Sequence, residues 1–293
     1  MIDGRCISLL ISSCNRPAFL IDTIRSVLNG STVPDEIVVV DQSDVPNEAL
    51  SSMGMPDGVS LRYLMSDTIG LSRSRNIAFA RASHSIVVVV DDDCLVAEDW
   101  LEVIVRALLA AGSNAVVTGR VVASEPGDGG RFAPSLHTSK QPAEFRGRIT
   151  TDPLATFNFA LRASTYMAVG EFDPRIGPGT RFPAAEDNDY GYRLLRMGYT
   201  IVFDPSALVY HRAWRDEASY VALRYAYGRG QGAYYGKHLA AHDWYMLWKL
   251  IHAFIRRGKR MAEGGSRGVV GELAWIAGWA NGIVDWLTRT PRI

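Results

Sequence analysis

The stretch His84–Trp100, HSIVVVVDDDCLVAEDW, joins five apolar β-formers to three aspartates. The apolar run Ile86–Val90 predicts a strand that is buried on both faces. Asp91, Asp92 and Asp93 follow it directly, and we call them the aspartate triplet. Like charges at the end of a buried strand repel one another and resist desolvation. Their position therefore calls for a partner that compensates the charge.

Strands and helices alternate through the first hundred residues. Apolar runs at 6–12, 36–42 and 59–65 predict strands, and the patterns at 17–28 and 71–81 predict helices. Strands that are apolar on both faces predict an α/β fold, with a mostly parallel sheet flanked by helices. In such sheets ligands bind beyond the carboxyl ends of the strands. Polar residues collect at those ends, and they are Ser13, Asn15, Asp41, Asp67 and the aspartate triplet.

The second half of the sequence is less regular. Residues 124–153 are rich in Gly, Pro and polar residues, which predicts a long mobile loop that could serve as a lid. A strand is predicted at 156–162, a short helix at 164–169 and a further helix that ends before Gly198. TIVFDPSALVYH predicts two short strands, and from about Ser219 the sequence becomes an aromatic-rich helix.

The chain length suits one large α/β domain with an appendage, since 293 residues exceed what one small domain needs. We expect a main domain at 1–215, made of two halves at 1–123 and 124–215. A helical extension would follow at 216–293. At 47% hydrophobic and 21% charged residues, the composition is that of a globular protein.

Charge and cysteine usage restrict the function classes. Thirty-one basic and thirty-one acidic residues leave no net charge, so the composition gives no support to nucleic-acid binding. Three cysteines without zinc-type spacing favour a reduced, cytoplasmic setting. The amino terminus shows no basic leader, and no run of about 18 apolar residues predicts a membrane-spanning helix.

The aspartate triplet is the first candidate site. Asp91 and Asp93 flank one residue at a strand end, so their side chains leave the same face and can converge. Converging carboxylates favour Mg²⁺ or Mn²⁺ shared with phosphate oxygens. The alternative is that the acids begin the next helix. However, Glu98 and Asp99 already supply that role.

Three further groups have two interpretations each. Glu186 and Asp187 start a predicted helix, where they either stabilise its dipole or supply a general base. His211 ends a short strand as a structural residue or a metal ligand. Arg73 and Arg75 are surface charges or contacts to a nucleotide.

Taken together, these motifs resemble those of the family-two glycosyltransferases of the GT-A fold. The resemblance extends over roughly residues 6–212 and follows the family order. It rests on ISSCNRP, EIVVVDQSD, GLSRSRN, VVVVDDD, AAEDND and VYH, with TFNFALRASTYMAVGEFDP as the stretch near the sugar site.

The resemblance implies an inverting, metal-dependent transfer of a sugar from a UDP, dTDP or GDP donor to an acceptor hydroxyl. Asp187 would be the base, with Glu186 as second choice, and Mn²⁺ or Mg²⁺ would be held by Asp93, Asp91 and His211. The donor sugar or acceptor would contact Asn158 and Trp214. The nucleotide would contact Ser12, Ser13, Asn15, Asp41, Asp67, Gly70, Arg75, Asp91 and Asp92. The acceptor would be a glycan, a lipid carrier or another hydroxyl compound. Residues 1–215 would thus form the catalytic domain, with a nucleotide-binding half at 1–123 and an acceptor and base half at 124–215.

The carboxyl-terminal third contains two apolar stripes at helical spacing. The first stripe is Trp244, Leu247, Trp248, Ile251 and Ile255, followed by RRGKR at 256–260, and the second is Trp275, Trp279, Ile283 and Trp286. Two interpretations are open. The stripes either pack on the catalytic domain or a second subunit, or lie on a membrane surface such as the inner face of the plasma membrane.

Two other functions are compatible with parts of the sequence. A strand ending in D-x-D is also found in haloacid-dehalogenase-like phosphatases, although their motif lies on an early strand and a different residue stands where Leu95 does. A non-catalytic nucleotide-sugar binding protein would share the nucleotide motifs. The intact Glu186–Asp187 pair and His211 argue for catalysis instead.

Overall fold

The computed structural model describes residues 6–124 and 131–289. Residues 125–130 of the predicted lid lie outside the described residues. The strands are β1 (Ile7–Ser13), β2 (Glu36–Asp41), β3 (Ser60–Met65), β4 (Ile86–Val90), β5 (Cys94–Val96), β6 (Ala115–Ala123), β7 (Arg131–Phe132), β8 (Ala143–Phe145), β9 (Asn158–Arg162), β10 (Thr200–His211) and β11 (Arg215–Asp216). The helices are α1 (Pro17–Leu28), α2 (Glu48–Ser51), α3 (Leu71–Arg81), α4 (Trp100–Ala110), α5 (Ala163–Val169), α6 (Glu186–Arg196), a 3₁₀ turn (Glu217–Ser219), α7 (Tyr220–Ala240), α8 (Tyr245–Glu263) and α9 (Gly265–Arg289).

A mixed, mostly parallel sheet forms the centre of the fold. Within the described residues its strand order is β3-β2-β1-β4-β9-β6-β10-β5, with β8 paired on β10, and β1 to β4, β6 and β10 run in one direction. Helices α1 and α4 pack on one face, and α3, α5 and α6 pack on the other. The predicted α/β class is confirmed. The register sets Ser13 beside Asp41, so that the polar strand ends meet at one edge of the sheet.

Two expectations about the second half are corrected. Residues 124–153 contain the short strands β7 and β8, which pair with β11 and β10. Such short strands carry no sequence pattern and form because a partner strand offers hydrogen bonds. The segment 200–211 is a single strand, not two, because the register shift between Asp204 and Leu208 accommodates Pro205.

The carboxyl-terminal helices pack through glycines. In the seam between α7 and α9, a Cβ added to Gly232 would lie 2.2 Å from the Trp279 carbonyl oxygen, and one on Gly282 would lie 2.1 Å from that of Arg229. The two backbones thus approach more closely than side chains would allow. The second stripe is buried in this extension, with Trp279 and Trp286 only 4% and 5% exposed. Among the helices described, none has the length and apolar character needed to cross a membrane.

The expected division at residues 215 and 216 stays a prediction. Helix α6 of the first part and helix α7 of the extension are joined by a buried ionic cluster. The Asp189 carboxylate accepts hydrogen bonds from His238 at 2.9 Å and from Lys237 at 2.9 Å. Burial opposes its ionisation, but Lys237, His238 and Arg193 hold the pKa of Asp189 well below its ordinary value. The extension is therefore fixed to the helix that begins with Glu186.

Candidate active site

A cavity of about 610 Å³ opens at the carboxyl ends of β1 and β4. Its size lies in the range of small-ligand sites. Nine of the predicted site residues line it, and they are Ser12, Ser13, Gly70, Asp91, Asp92, Asp93, Glu186, Asp187 and His211. The sheet topology thus brings together residues that are up to 199 positions apart in the sequence.

Each carboxylate of the aspartate triplet has a different partner. Asp91 lies 2.9 Å from the Arg75 guanidinium, Asp92 accepts a hydrogen bond from the Ser13 hydroxyl at 2.7 Å, and the Asp93 carboxylate lies 3.2 Å from His211 Nε2. Asp92 is therefore not a simple spacer, since its side chain is buried against β1. Burial raises the pKa of Asp92 to about 7, and repulsion from Asp93 adds to this despite the nearby Arg16.

Arg16 is a cation that the sequence interpretation did not single out. It follows β1, and its Nη1 lies 2.8 Å from Asp93 Oδ2 and 3.3 Å from Asp92 Oδ1. Burial alone would lower the pKa of Arg16, but Asp93 and Asp92 raise it above its ordinary value. Arg16 therefore partly neutralises the triplet. Because Arg16 belongs to the ISSCNRP motif, the sequence could have identified it as a candidate site residue.

The described residues contain one candidate group for metal binding, composed of Asp93, Cys94 and His211. Their potential ligand atoms lie within 4.8 Å of one another. Burial raises the pKa of the Cys94 thiol well above its ordinary value, and so disfavours the thiolate that binds metals. Burial also opposes ionisation of Asp93, but His211 and Arg16 lower its pKa. The Asp91 carboxylate lies outside this group, on Arg75.

His211 is oriented for a polar role. Its ring stacks on Phe157, with the centroids 5.0 Å apart, and its buried Nδ1 has no hydrogen-bond partner in the described part of the chain. An unpaired polar atom at a buried position is unusual and is consistent with a site that completes its contacts on binding a ligand. Asp93 and His211 therefore fit a divalent cation that accepts carboxylate and imidazole ligands.

The other end of the cavity holds Glu186 and Asp187. They begin α6, and the preceding Ala185 has φ +75°, in the left-handed region that non-glycine residues seldom adopt. Burial and repulsion from Glu186 raise the pKa of Asp187 to about 8. Burial also raises the pKa of Glu186, although Arg75 opposes this. The Asp187 carboxyl thus titrates near neutral pH, as a general base requires.

Arg75 contacts an acidic residue at each end of the cavity. It is only 1% exposed, and its guanidinium contacts Asp91 at 2.9 Å, Glu186 at 3.4 Å and the Thr156 hydroxyl at 2.7 Å. A fully buried arginine between two acids holds both in place. Arg75 is not among the residues that line the described cavity, and its contact with a nucleotide stays a prediction.

The residues predicted to recognise the nucleoside lie around the rim. Asp41 is buried, accepting hydrogen bonds from the Tyr63 hydroxyl at 2.8 Å and from the Ser43 backbone at 2.9 Å. Asn15 is exposed and bonded to Asp44, and Asp67 is exposed at the end of β3. None of Asn15, Asp41 and Asp67 lines the described cavity, whereas Gln42 does.

The two residues predicted at the sugar site are not brought to the cavity. Asn158 is fully buried, and its side-chain amide bonds Trp100 Nε1 and the carbonyl oxygens of Arg120 and Ala207. Its geometry is that of a residue that holds the sheet together. Trp214 donates its indole N–H to the Ser124 hydroxyl at 3.2 Å, beside the cavity-lining Arg215.

The sequence did not predict that the carboxyl-terminal helices form part of the cavity lining, which we call the helical wall. Helix α7 contributes Leu223, Tyr227 and Gln231, and α9 contributes Trp275. Two guanidinium groups lie against the Trp275 ring, Arg257 at 3.7 Å and Arg224 at 4.5 Å from its centroid. The aromatic spacing of the extension was a signal for helices, but it did not reveal which rings face the cavity.

A direct link joins this wall to the start of α6. Asn188 donates a hydrogen bond from its side-chain amide to Gln231, which in turn lies 3.4 Å from the Asp152 carboxylate. A Cβ on Gly230 would lie 2.3 Å from the carbonyl oxygen of Ala184, so that α7 touches the backbone just before Glu186. The extension thus positions the acidic pair.

Comparisons with solved structures show the same fold. The structure of S. aureus TarS 1–349 superposes with a TM-score of 0.59 at 14% identity, covering 97% of this chain and 90% of that one. GalNAc-T7 with UDP, GalNAc and Mn²⁺ gives a TM-score of 0.57 at 18% identity, covering 74% of this chain and 45% of that chain. TarS 1–349 with UDP-GlcNAc gives 0.56 at 17% identity, covering 72% and 60%.

The lengths of these proteins differ from that of the chain. A longer S. aureus TarS structure also matches, and the chain spans only 39% of it. A comparison with curated proteins finds no match.

A family model, Glycosyl transferase family 2, matches residues 8–169, which is more than half of the chain. This segment carries β1 to β4, the triplet and Arg75, and therefore most of one end of the cavity. The match leaves the phosphatase alternative without support. From its sequence and its GT-A fold, the chain belongs to glycosyl transferase family 2.

Proposed function

We propose that this protein is a metal-dependent, inverting glycosyltransferase that moves a sugar from a nucleoside diphosphate donor to an acceptor hydroxyl. The observation that carries the proposal is the arrangement of one cavity, which has the aspartate triplet at one end and the Glu186–Asp187 pair at the other. A base and a phosphate-binding end in one cavity are what a single displacement at the anomeric carbon requires. The raised pKa of Asp187, caused by burial and by Glu186, is consistent with the role of base.

The donor end suits a diphosphate. Arg16 and Arg215 both line the cavity that contains the triplet, and guanidinium groups bind phosphate oxygens in a bidentate manner. The similar structures include complexes with UDP, with UDP-GlcNAc, and with UDP, GalNAc and Mn²⁺. UDP is therefore the nucleotide to test first, with dTDP and GDP as comparisons.

Asp93 and His211 would hold the cation, Mn²⁺ or Mg²⁺. When bound, the metal supplies positive charge that stabilises the departing diphosphate. The unpaired Nδ1 of His211 and the low pKa of Asp93 support this assignment. Asp91 stays a proposed ligand, which would have to exchange its contact with Arg75.

The chain's own residues provide the proton chemistry. Asp187 accepts the proton of the acceptor hydroxyl as that oxygen attacks the anomeric carbon. Burial and the neighbouring Glu186, which lies 3.4 Å from the Arg75 guanidinium, raise the pKa of Asp187 and so favour its role as proton acceptor. The attack comes from the side opposite the leaving group, and the configuration at the anomeric carbon therefore inverts.

The acceptor would lie against the helical wall. Tyr227 and Trp275 offer aromatic surface of the kind that packs on sugar rings, next to the Asp187 end. A glycan or a lipid-linked sugar fits this chemistry, and we propose a role in polysaccharide or glycoconjugate synthesis. The proposed place of the reaction is the cytoplasm, at the inner face of the plasma membrane.

The decisive experiment compares Asp187→Asn with Asp57→Asn, which alters an exposed turn residue. UDP release from a panel of UDP-sugars with acceptors is measured in the presence of Mn²⁺, and UDP binding is measured by thermal shift. Asp187→Asn should lose about 10²- to 10⁴-fold in turnover, as expected for a general base, and should still bind UDP. Near-normal turnover of Asp187→Asn would reject Asp187 as the base. Failure of the wild type to bind UDP, dTDP and GDP would reject the whole proposal.

A further inference from the structure

The first apolar stripe, unlike the second, faces solvent. Helix α8 and its preceding residue expose six large apolar side chains, between 47% and 64% each. We call them the α8 face, and they are Trp244, Leu247, Trp248, Ile251, Phe254 and Ile255. Their spacing puts them on one side of the helix. A contiguous exposed apolar face of this kind marks an interaction site.

The opposite side of α8 already makes the contacts that hold the helix. Met246 is fully buried, and Lys249 is 1% exposed, with its ammonium group 2.9 Å from Asp152 and 2.7 Å from the Thr151 carbonyl oxygen. Arg257 pairs with Glu272 of α9 at 2.7 Å. The α8 face is therefore not needed to attach the helix to the rest of the protein.

The charge around the α8 face has one sign. Residues 244–262 contain no Asp or Glu, and of their basic residues Lys249 and Arg257 are paired on the protein side of the helix. Lys259 and Arg260 are exposed, and Lys259 lies one turn beyond Ile255 along the same side. Two tryptophans at one end and basic side chains at the other match the headgroup region of an anionic bilayer.

A second copy of the chain is a poorer partner for this face. A symmetric pair would bring the same basic residues towards one another's surface, and residues 244–262 hold no acid to pair with them. We propose that α8 lies flat on a membrane surface that contains anionic lipid, with the α8 face towards the acyl chains. Its charge complementarity with the lipid selects this partner.

This placement would bring the cavity close to the lipid. Arg257, on the protein side of α8, stacks on Trp275 at 3.7 Å, and that ring lines the cavity. The cavity wall is thus separated from the surface by about one helix diameter, ~10 Å. An acceptor carried on a lipid would be within reach. This last step rests on the proposed function, whereas membrane binding itself does not.

The test uses the full chain and vesicles of phosphatidylcholine, with or without phosphatidylglycerol. Cosedimentation should show binding to the vesicles that contain phosphatidylglycerol, and high salt should weaken it. Ile251→Glu and Trp248→Glu should each reduce the partition coefficient about tenfold or more, since a charge replaces a side chain that the bilayer would bury. Met167→Glu alters an even more exposed apolar residue, on α5, and should bind as the wild type does.

Three further measurements make the outcome decisive. Because the altered side chains are exposed, the variants should keep the wild-type melting temperature and UDP binding. Equal vesicle binding by the wild type, Ile251→Glu and Met167→Glu would overturn the proposal. Light scattering that shows a dimer broken by Ile251→Glu, without vesicle binding by the wild type, would also overturn it and assign the face to a second copy.

Discussion

The close backbone packing of α7 against α9 allows a quantitative prediction for the variant Gly282→Ala. The added Cβ would lie 2.1 Å from the carbonyl oxygen of Arg229 and 3.0 Å from the backbone nitrogen of Ala233. Real Cβ atoms essentially never approach closer than 3.0 Å, so the two helices must separate by about 1 Å at this point. Both obstructing atoms belong to backbone, which cannot rotate away as a side chain could.

The magnitude follows from two opposing effects. Overpacking of this kind costs about 1–3 kcal/mol, and a contact with backbone belongs at the upper end of that range. Replacing a helical glycine by alanine returns about 1 kcal/mol. The free energy of unfolding should therefore fall by about 2 kcal/mol, which corresponds to a melting temperature lower by about 4–8 °C.

Gly258→Ala is the matched control. Gly258 lies inside α8, and nothing lies within 4 Å of an added Cβ. Here only the gain in helix preference applies, and the melting temperature should be unchanged or higher by about 2–4 °C. Thermal unfolding followed by circular dichroism checks both variants. A Gly282→Ala protein that melts at or above the wild-type temperature would refute the close backbone packing.

Three other predictions concern the cavity. Because burial and Glu186 raise the pKa of Asp187 to about 8, kcat/KM should increase with pH until about 8 and then level off, and a profile that is flat from pH 6 to 9 would contradict this. Arg75→Met leaves Asp91 and Glu186 without their buried partner, so urea unfolding should show a loss of about 3 kcal/mol, and an unchanged midpoint would argue against the bridge. Arg16→Ala removes a guanidinium that lies 2.8 Å from a carboxylate of the triplet, so Mn²⁺ titrated without donor by calorimetry should bind more tightly, and weaker binding would show that Arg16 does not compete with the cation.

The first half of the fold was largely predictable from the sequence. Helices α1 and α3 begin where Pro17 and Gly70 interrupt the apolar pattern, and the predicted bounds match the observed ones. The strands β1, β2 and β4 are apolar on both faces, which is a strong local signal. The short strands β7 and β8 were missed because they exist only through pairing with partners far along the sequence.

The candidate site was predictable only in part, because the sequence shows which residues end a strand but not what covers a helix. Residues at the ends of parallel strands meet because the sheet topology forces them to, and the triplet and Ser13 are examples. Periodicity shows that a helix has an apolar side but not what covers it. The two stripes therefore looked alike in sequence, although Trp279 is buried and Trp248 is exposed. The helical wall depended on the glycine seam, which places Trp275 beside the cavity.

The position of Tyr227, Gln231 and Trp275 has a consequence for protein engineering. Since these side chains line the cavity, a fragment that stops at residue 215 would carry the proposed metal ligands and the proposed base yet lack one side of the cavity. Conversely, a chimera that receives the last helices of another family member would keep the strand-end residues of this chain. It would have different side chains along one side of the cavity. If the proposed function is correct, such an exchange would change the acceptor that the protein uses and leave the aspartates unaltered. The modular unit for changing specificity is therefore the helical extension, which the sequence alone had marked as an appendage.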